Sequence, residues 1–343
     1  MKIYMLWDME GVSGLFTREQ VWFWEPGVRQ EAAEEGQRLL IADVNSAVAA
    51  ALEAGADSVI VCDTHHGGEN IRVVDLLADA RVTYHVRSTV RYGLGRRFLP
   101  GFDRSVDGLM LLGHHAKAGA PDAFLPHTQG PAWLDVWING QSVGEVGLEA
   151  CYAGHWDVPL ILAQGDEAMA REVAEQFPET VTVAVKRALT PDLCTGPSPE
   201  AARRLTAERV ALAVERARAG AFPPFKPALP LTVRIRLETA VLAEKGRAAA
   251  RREARGRTDR RRHGRAALRR AQVDDGRRGR LGGGPQAAGR RQAELKKTFR
   301  EEPRSGRRHG SRIEATLGKE PCDAMQETVL VPAGAVRLLR AGR

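Results

Sequence analysis

An apolar run that ends in two acidic side chains organises the first part of this chain: Lys2-Ile3-Tyr4-Met5-Leu6-Trp7-Asp8-Met9-Glu10. On an extended strand, residues i and i+2 point to the same side, so the carboxylates of Asp8 and Glu10 converge. Two carboxylates held that close repel each other unless a cation or a proton lies between them. The run therefore predicts a buried strand with two carboxylates at its carboxyl end. By themselves these carboxylates could bind a cation, serve as an acid at a phosphate site, or be a solvated strand end.

Two later apolar runs also end in side chains that bind metals. Residues 58–62 and 109–112 lead into the stretches Asp63-Thr64-His65-His66 and Gly113-His114-His115. If the three strands are parallel, their carboxyl ends deliver Asp, Glu and His to one edge of a sheet. Those residue types at one edge are what a hydrolytic metal centre needs.

The elements between these runs predict the fold class. A helix over 31–54, stopped by Gly55, joins the first two strands as a β-α-β unit, which implies parallel strands and a right-handed crossover. Asn139-Gly140 between two alternating runs predicts a hairpin with a type I′ turn. Further periodic stretches predict helices over 146–154, 167–177 and 199–220, and strands over 159–163, 180–186 and 232–237. We therefore predict an α/β fold with a mostly parallel sheet flanked by helices and a smaller β-containing C-terminal portion.

The charge of the chain changes abruptly near residue 243. Residues 1–243 contain 23 Lys and Arg against 31 Asp and Glu, a net charge of −8; residues 244–343 contain 28 against 12, a net charge of +16. Residues 248–308 are mostly Arg, Ala and Gly, with too few large apolar side chains to offset the entropy of ordering. We predict a globular domain over 1–243 and a separate basic segment over 244–343.

Three interpretations of the basic segment remain open. It could be a disordered tail, or an arm that binds nucleic acid through its positive charge. Our preferred hypothesis is that a frameshift replaced the authentic C-terminus, because an Arg/Gly/Ala-rich run is what an out-of-frame reading of a GC-rich gene produces. The switch also follows directly after a predicted strand that needs partners.

The cysteine content and hydropathy indicate the compartment. Cys62, Cys151, Cys194 and Cys322 form no C-x-x-C pair, which argues against a disulfide framework or a structural zinc site. No stretch reaches the roughly 18 apolar residues of a membrane span. The first apolar run stops at Asp8, too early for a signal peptide. We expect a cytoplasmic protein without a membrane partner.

Five stretches of the sequence together resemble a known family. They are Asp8-Met9-Glu10-Gly11-Val12-Ser13-Gly14, Asp63-Thr64-His65, Gly113-His114-His115-Ala116-Lys117, His127 and Val143-Gly144-Glu145-Val146-Gly147-Leu148. Their order and spacing over residues 1–240 are similar to those of the zinc-dependent D-aminopeptidases of the DppA type. The resemblance implies that residues 1–243 form a metallo-aminopeptidase-like catalytic domain.

Carried over residue by residue, the resemblance implies two Zn²⁺ per subunit, held by Asp8, Glu10, His65, His115 and Glu145. It implies that His127 is the catalytic nucleophile or base. Oxygen and imidazole ligands without thiolate suit a catalytic zinc pair, and a carboxylate such as Asp8 could bridge the two ions. The implied substrates are short peptides with an N-terminal D-amino acid, especially D-Ala. The implied assembly is a ring-shaped homo-oligomer, a decamer, with the active sites inside.

Several residues keep a second interpretation. His66 and His114 adjoin the matched histidines, so either member of each pair could be the ligand. Without the resemblance, Glu145 would be an ordinary acid at a helix N-terminus. Lys117 could orient substrate or neutralise a neighbour. We expect the aromatic residues 22–24 to serve packing or a subunit contact rather than to form a substrate wall.

Three other functions compete with the aminopeptidase. One is a different two-metal amidase or phosphoesterase acting on a small substrate. Another is nucleic-acid binding through the basic segment, which we favour less. The last is an inactive remnant, in which the metal ligands persist although a scrambled C-terminus impairs folding or assembly.

Overall fold

The computed structural model describes residues 1–86 and 99–238, together with the backbone of 311–317. Its main sheet has seven strands in the order β3-β2-β1-β4-β7-β8-β9. Their bounds are β1 Lys2–Trp7, β2 Ser58–Asp63, β3 Val82–His85, β4 Gly108–His114, β7 Leu160–Asp166, β8 Val181–Thr190 and β9 Leu193–Thr195. All neighbours are parallel except β8 and β9. The predicted α/β class with a mostly parallel sheet is confirmed.

The sheet changes its winding direction between β1 and β4. From β1 the chain proceeds through β2 to β3 on one side, and from β4 through β7 to β8 on the other. Strands β1 and β4 are direct neighbours, with Ile3 opposite Gly108 and Trp7 opposite Leu112. Open α/β sheets bind their ligands in the crevice at the carboxyl ends of the strands that flank such a switch point. The fold therefore places a crevice beside Asp8.

Helices cover both faces of this sheet. Their bounds are α1 Arg18–Val21, α2 Gln30–Glu53, α3 Glu145–His155, α4 Glu167–Gln176 and α5 Pro199–Arg218. Alternate residues of β1 serve two separate cores. Ile3, Met5 and Trp7 pack with α2 and α5, and Tyr4 and Leu6 pack with α3 and α4. Burial of both faces explains why β1 is an uninterrupted apolar run.

A second, antiparallel sheet packs against α3. It has the order β11-β10-β5-β6, with β5 Trp133–Ile138, β6 Gln141–Val143, β10 Leu231–Leu237 and β11 Ser311–Leu317. Asn139 and Gly140 have φ values of 49° and 87°, the two positive angles that a type I′ turn requires, so the predicted hairpin is confirmed. Its second strand leads directly into α3, whose first residue is Glu145.

Most of the basic segment lies outside the described residues. The hypotheses of a disordered tail, a frameshift and a nucleic-acid arm concern residues 244–343, of which only the backbone of 311–317 is described. The backbone of β11 is an exception, because it pairs with β10 from Leu231 opposite Leu317 to Leu237 opposite Ser311. The sequence predicts no strand there. Within 1–86, 99–238 and 311–317, no helix combines the length and the apolarity that a membrane span needs.

Three glycines allow the ends of β1, β4 and β7 to approach closely. A β-carbon on Gly113 would lie 2.0 Å from the carbonyl oxygen of Asp8. A β-carbon on Gly11 or on Gly165 would lie 2.3 Å or 2.0 Å from the carbonyl oxygen of His114. The Gln164 amide also bridges the loops, donating to Gly11 O at 3.0 Å and accepting from Gly113 N at 2.6 Å. These contacts leave no room for side chains at the three glycines. They fix the backbone segments at the ends of β1, β4 and β7, beside the crevice.

We predict that Gly113→Ala destabilises the protein far more than Gly119→Ala. Both glycines have similar positive φ values, 72° and 77°, but nothing lies within 4 Å of a β-carbon at Gly119. The control should cost about 1–2 kcal/mol for the left-handed backbone alone. Gly113→Ala adds overpacking against Asp8, for a total of about 2–5 kcal/mol. Chemical denaturation of both variants measures the difference, and equal costs would contradict this account of the strand ends.

Candidate metal centre

The structure brings Asp8, Glu10 and His65 together at the carboxyl ends of β1 and β2. His65 Nδ1 lies 2.6 Å from Asp8 Oδ1 and 3.3 Å from Glu10 Oε2. All three side chains are buried. This first cluster offers two carboxylate oxygens and one imidazole nitrogen within 4.8 Å of one another, close enough to share one metal ion.

A second cluster consists of His115, His127 and Glu145. Glu145 Oε1 lies 3.5 Å from His115 Nε2 and 3.7 Å from His127 Nε2. The two imidazole rings stack at 3.9 Å between centroids with an angle of 11° between their planes. His115 follows β4, Glu145 opens α3, and His127 lies in the loop between β4 and β5. The second cluster therefore combines parts that are far apart in sequence.

Asp8 faces both clusters at once. Its Oδ1 atom is the one 2.6 Å from His65 Nδ1, and its Oδ2 atom lies 3.6 Å from His115 Nε2. The backbone N–H of Asp8 donates to Leu112 O at 2.9 Å, which fixes the residue between β1 and β4. The carboxylate of Asp8 thus connects the two clusters into one site.

Each of the three histidines directs one ring nitrogen into the site and the other onto a backbone carbonyl. The carbonyl partner is Val21 O for His65 at 3.0 Å, Ala116 O for His115 at 3.0 Å and Leu125 O for His127 at 2.8 Å. A ring N–H that donates to a carbonyl leaves the opposite nitrogen unprotonated in the neutral imidazole. This is how proteins orient metal-binding histidines.

The loop that carries His127 has an unusual backbone. Asp122, Leu125 and Gln129 have φ values of 50°, 46° and 60°. Non-glycine residues adopt this region at a cost, so other contacts must stabilise the loop. One of them is the N–H of Gln129, which donates to Glu145 Oε1 at 2.7 Å. The loop conformation and the position of the Glu145 carboxylate are therefore coupled.

The carboxylates and imidazoles of the site change one another's pKa values. Burial opposes the ionisation of Glu10, but the facing His65 and His115 outweigh it and hold the pKa of Glu10 well below its ordinary value. The same balance, through His115 and His127, lowers the pKa of Glu145 to about 2. Burial disfavours charge on His65 and His115, yet the adjacent carboxylates raise the pKa values of both well above 6.5. The carboxylates thus favour the protonated form of these two histidines, whose positive charge compensates them.

Two buried atoms of the site form no hydrogen bond to any described residue, although each faces a group of opposite charge. Among the described residues, Glu10 Oε2 and His115 Nε2 are buried and form no hydrogen bond. Burying such an atom unpaired is costly, and a cation bound beside it would supply the missing partner. Carboxylate oxygen and imidazole nitrogen together suit a divalent ion such as Zn²⁺. The donor set and the unpaired atoms therefore both fit a metal.

In each adjacent pair of histidines, only one ring points into the site. His114 points away from the clusters, with Nε2 2.8 Å from Glu149 Oε2 and Nδ1 3.1 Å from Leu112 O. The ring of His66 stacks on Trp24 at 3.9 Å. The Nζ atom of Lys117 donates to Ser142 Oγ at 2.8 Å. His65 and His115, which the family spacing favoured, are the members that reach the site.

Trp22 belongs to the site, although the sequence indicated only packing or a subunit contact for residues 22–24. Its indole Nε1 donates to Glu10 Oε1 at 2.7 Å, and its ring meets the ring of His127 edge-on at 5.5 Å. Three aromatic residues near one another gave no indication of which of them would turn inward. The contact explains how Glu10 is oriented: one carboxylate oxygen is held by Trp22 and the other faces His65.

A buried group of carboxylates and imidazoles at the carboxyl edge of a parallel sheet is typical of metal-dependent hydrolases. The chain belongs to the peptidase M55 family, described as D-aminopeptidase, whose model matches residues 1–261. It is therefore a peptide hydrolase of the metallo-aminopeptidase class. The matched range includes both clusters and the main sheet, and ends beyond the boundary predicted at residue 243.

Two relatives support this assignment. A D-aminopeptidase of Bacillus subtilis (strain 168) is 33% identical over 217 residues, which cover 63% of this chain and 74% of the relative. A solved structure, described as the Zn-dependent D-aminopeptidase DppA from Bacillus subtilis, a self-compartmentalizing protease, is similar with a TM-score of 0.63. It is 29% identical in sequence, and the match covers 72% of this chain and 85% of that one.

Proposed function

We propose that this aminopeptidase holds two Zn²⁺ per subunit and releases N-terminal D-amino acids, D-Ala in particular, from short peptides. The proposed ligands are Asp8, Glu10, His65, His115 and Glu145. The observation that carries the proposal is the position of Asp8, whose two carboxylate oxygens face histidines of different clusters. A carboxylate in that position can bind two ions at once. Two separate metal sites would not need a shared carboxylate.

The charges and donors of the clusters support a zinc pair. Three carboxylates supply three negative charges against the four positive charges of two Zn²⁺, so the site is close to neutral when both are bound. Zinc in such a site polarises the scissile carbonyl and lowers the pKa of water. The solved relative is described as Zn-dependent. The free α-amine of the substrate is proposed to lie beside the clusters, which would restrict cleavage to the N-terminal residue.

His127 is proposed to act on the substrate directly, as nucleophile or as general base. Its Nδ1 is held by Leu125 O, so Nε2 is the atom that faces the site and can attack or accept a proton. Its side chain is 15% exposed, against 1% for His115 beneath it, so a substrate can reach it. Trp22 limits the ring on one side and His115 on the other.

The specificity and the assembly are inferred from the relatives. Both relatives are described as D-aminopeptidases, and the solved one as self-compartmentalizing. We therefore propose a preference for D-residues and a ring-shaped homo-oligomer, a decamer, with the active sites inside. Residues 1–243 are proposed to form the catalytic domain, with 244–343 as a separate segment. The mass of the full chain in solution tests the assembly.

Hydrolysis of D-alanyl and L-alanyl p-nitroanilide by the full chain tests the activity. We expect cleavage of the D-isomer that a chelator abolishes and added Zn²⁺ restores, with two Zn²⁺ bound per chain. Asp8→Asn should bind less zinc and lose activity, because it weakens the carboxylate that both clusters share. Activity confined to the L-isomer would contradict the proposed specificity. Activity that survives complete removal of metal would contradict the metal centre.

Substitution of His127 separates catalysis from metal binding. If His127 acts on the substrate, His127→Ala should retain two Zn²⁺ per chain and lose about 10²–10⁴-fold in kcat. His66→Ala, which removes the same ring from outside the clusters, should leave both zinc content and kcat unchanged. Elemental analysis and steady-state kinetics measure the two effects. Loss of one Zn²⁺ from His127→Ala would instead make His127 a ligand.

Zinc binding should release protons at neutral pH. The adjacent carboxylates raise the pKa values of His65 and His115 well above their ordinary value, so both rings favour a proton that they must lose before they bind zinc. About two protons should therefore appear per chain in a weakly buffered indicator solution, and zinc affinity should rise with pH. His115→Ala should release about one proton fewer than the wild type. A zinc affinity that is constant between about pH 6 and 8 would refute this linkage.

A further inference from the structure

Lys186 is a buried cation behind the first cluster. It lies on β8 and is 2% exposed. Its Nζ atom donates to Glu10 O at 2.7 Å and to Leu15 O at 2.6 Å, and lies 5.2 Å from the centre of the Phe124 ring. No carboxylate of the described residues forms an ion pair with it. Its partners are therefore two backbone carbonyls and an aromatic face.

Packing alone does not explain a buried lysine at this position. Burying an ammonium group without an ion pair is costly, and an apolar side chain of similar length would fill the same volume. The two carbonyl contacts offset part of that cost. The location of these two carbonyl groups is informative, because both belong to the segment that follows β1.

That segment, residues 10–15, is the turn that carries Glu10. Lys186 binds the carbonyl groups at both of its ends, Glu10 O and Leu15 O. The middle of the turn is held from α2, where Asp43 Oδ2 accepts from Ser13 N at 2.9 Å. Contacts on the carbonyls of Glu10 and Leu15 restrain the main chain to which the Glu10 side chain is attached. Lys186 therefore acts on the backbone of a proposed ligand without touching the ligand atoms.

We propose that Lys186 is a positioning residue for the metal centre, fixing the backbone of Glu10 so that its carboxylate meets Asp8 and His65. This inference rests on the proposed zinc site. It names no further ligand, since the Nζ atom faces the main chain and not the clusters.

The charge of Lys186 and its positioning role make opposite predictions. A positive charge close to the site repels Zn²⁺, so its removal would strengthen zinc binding if charge alone mattered. Positioning predicts the reverse, because residues that orient metal ligands typically contribute 10–100-fold to metal affinity, by order of magnitude. The sign of the change in zinc affinity decides between them.

The test measures zinc affinity of the full chain by competition with a chromophoric chelator at pH 7. Lys186→Met, which retains the length but not the donors, should weaken zinc binding roughly 10–100-fold. Arg187→Met removes a positive charge from the next, exposed residue of the same strand and should leave the affinity unchanged. Zinc binding by Lys186→Met that is as tight as in the wild type, or tighter, would overturn the inference.

A second variant and a stability measurement distinguish a positioning role of Lys186 from a purely structural one. If Lys186→Met does not fold, Lys186→Gln replaces it, and zinc binding weaker than in the wild type is again required. Unfolding of the metal-free variants is followed in parallel, since a purely structural role would lower that stability without changing the zinc affinity of the folded protein. A wild-type chain that binds no zinc would refute the proposed function itself. Zinc binding by the wild type with unchanged affinity in the variant refutes only the role of Lys186.

Discussion

The close approach of the backbones that end β1, β4 and β7 is the constraint on which the site depends. Gly11, Gly113 and Gly165 bring main-chain atoms within a distance that any side chain would prevent. Because of this approach, Asp8 lies between two strands and its carboxylate faces histidines from both sides. The topology supplies the crevice at the switch point, and within it one carboxylate faces both clusters.

The electrostatics of the site follow from that crowding. Three carboxylates share a buried volume with three imidazoles, and the rings beside Glu10 and Glu145 lower the pKa values of these two carboxylates. The same interactions favour protons on His65 and His115 when no metal is bound. A buried site of this composition needs positive charge, which protons on the histidines or a bound metal can supply. Outside the clusters, Trp22 and Lys186 hold Glu10 by its side chain and by its backbone.

Much of the fold was predictable because its central elements have strong local patterns. β1, α2 and β2 begin and end within two residues of the predicted bounds, since an unbroken apolar run and a long amphipathic helix leave little ambiguity. The short strands β3 and β9 were not predicted. They lie at the edges of the main sheet, and their half-exposed residues have no distinctive period. β11 was also missed, because its sequence lies in a segment whose composition suggested no regular element.

By itself, the sequence determined which chemical groups stand at the ends of which strands. Parallel strands align their carboxyl ends, so Asp8, Glu10, a histidine near 65 and a histidine near 115 had to meet at one edge. Only the tertiary structure decided which histidine of each adjacent pair turns inward and that Trp22 binds Glu10. It also decided that Lys186, 176 residues from Glu10, binds the same turn. Contacts between residues so far apart in sequence depend on how distant elements pack, and local sequence patterns do not predict them.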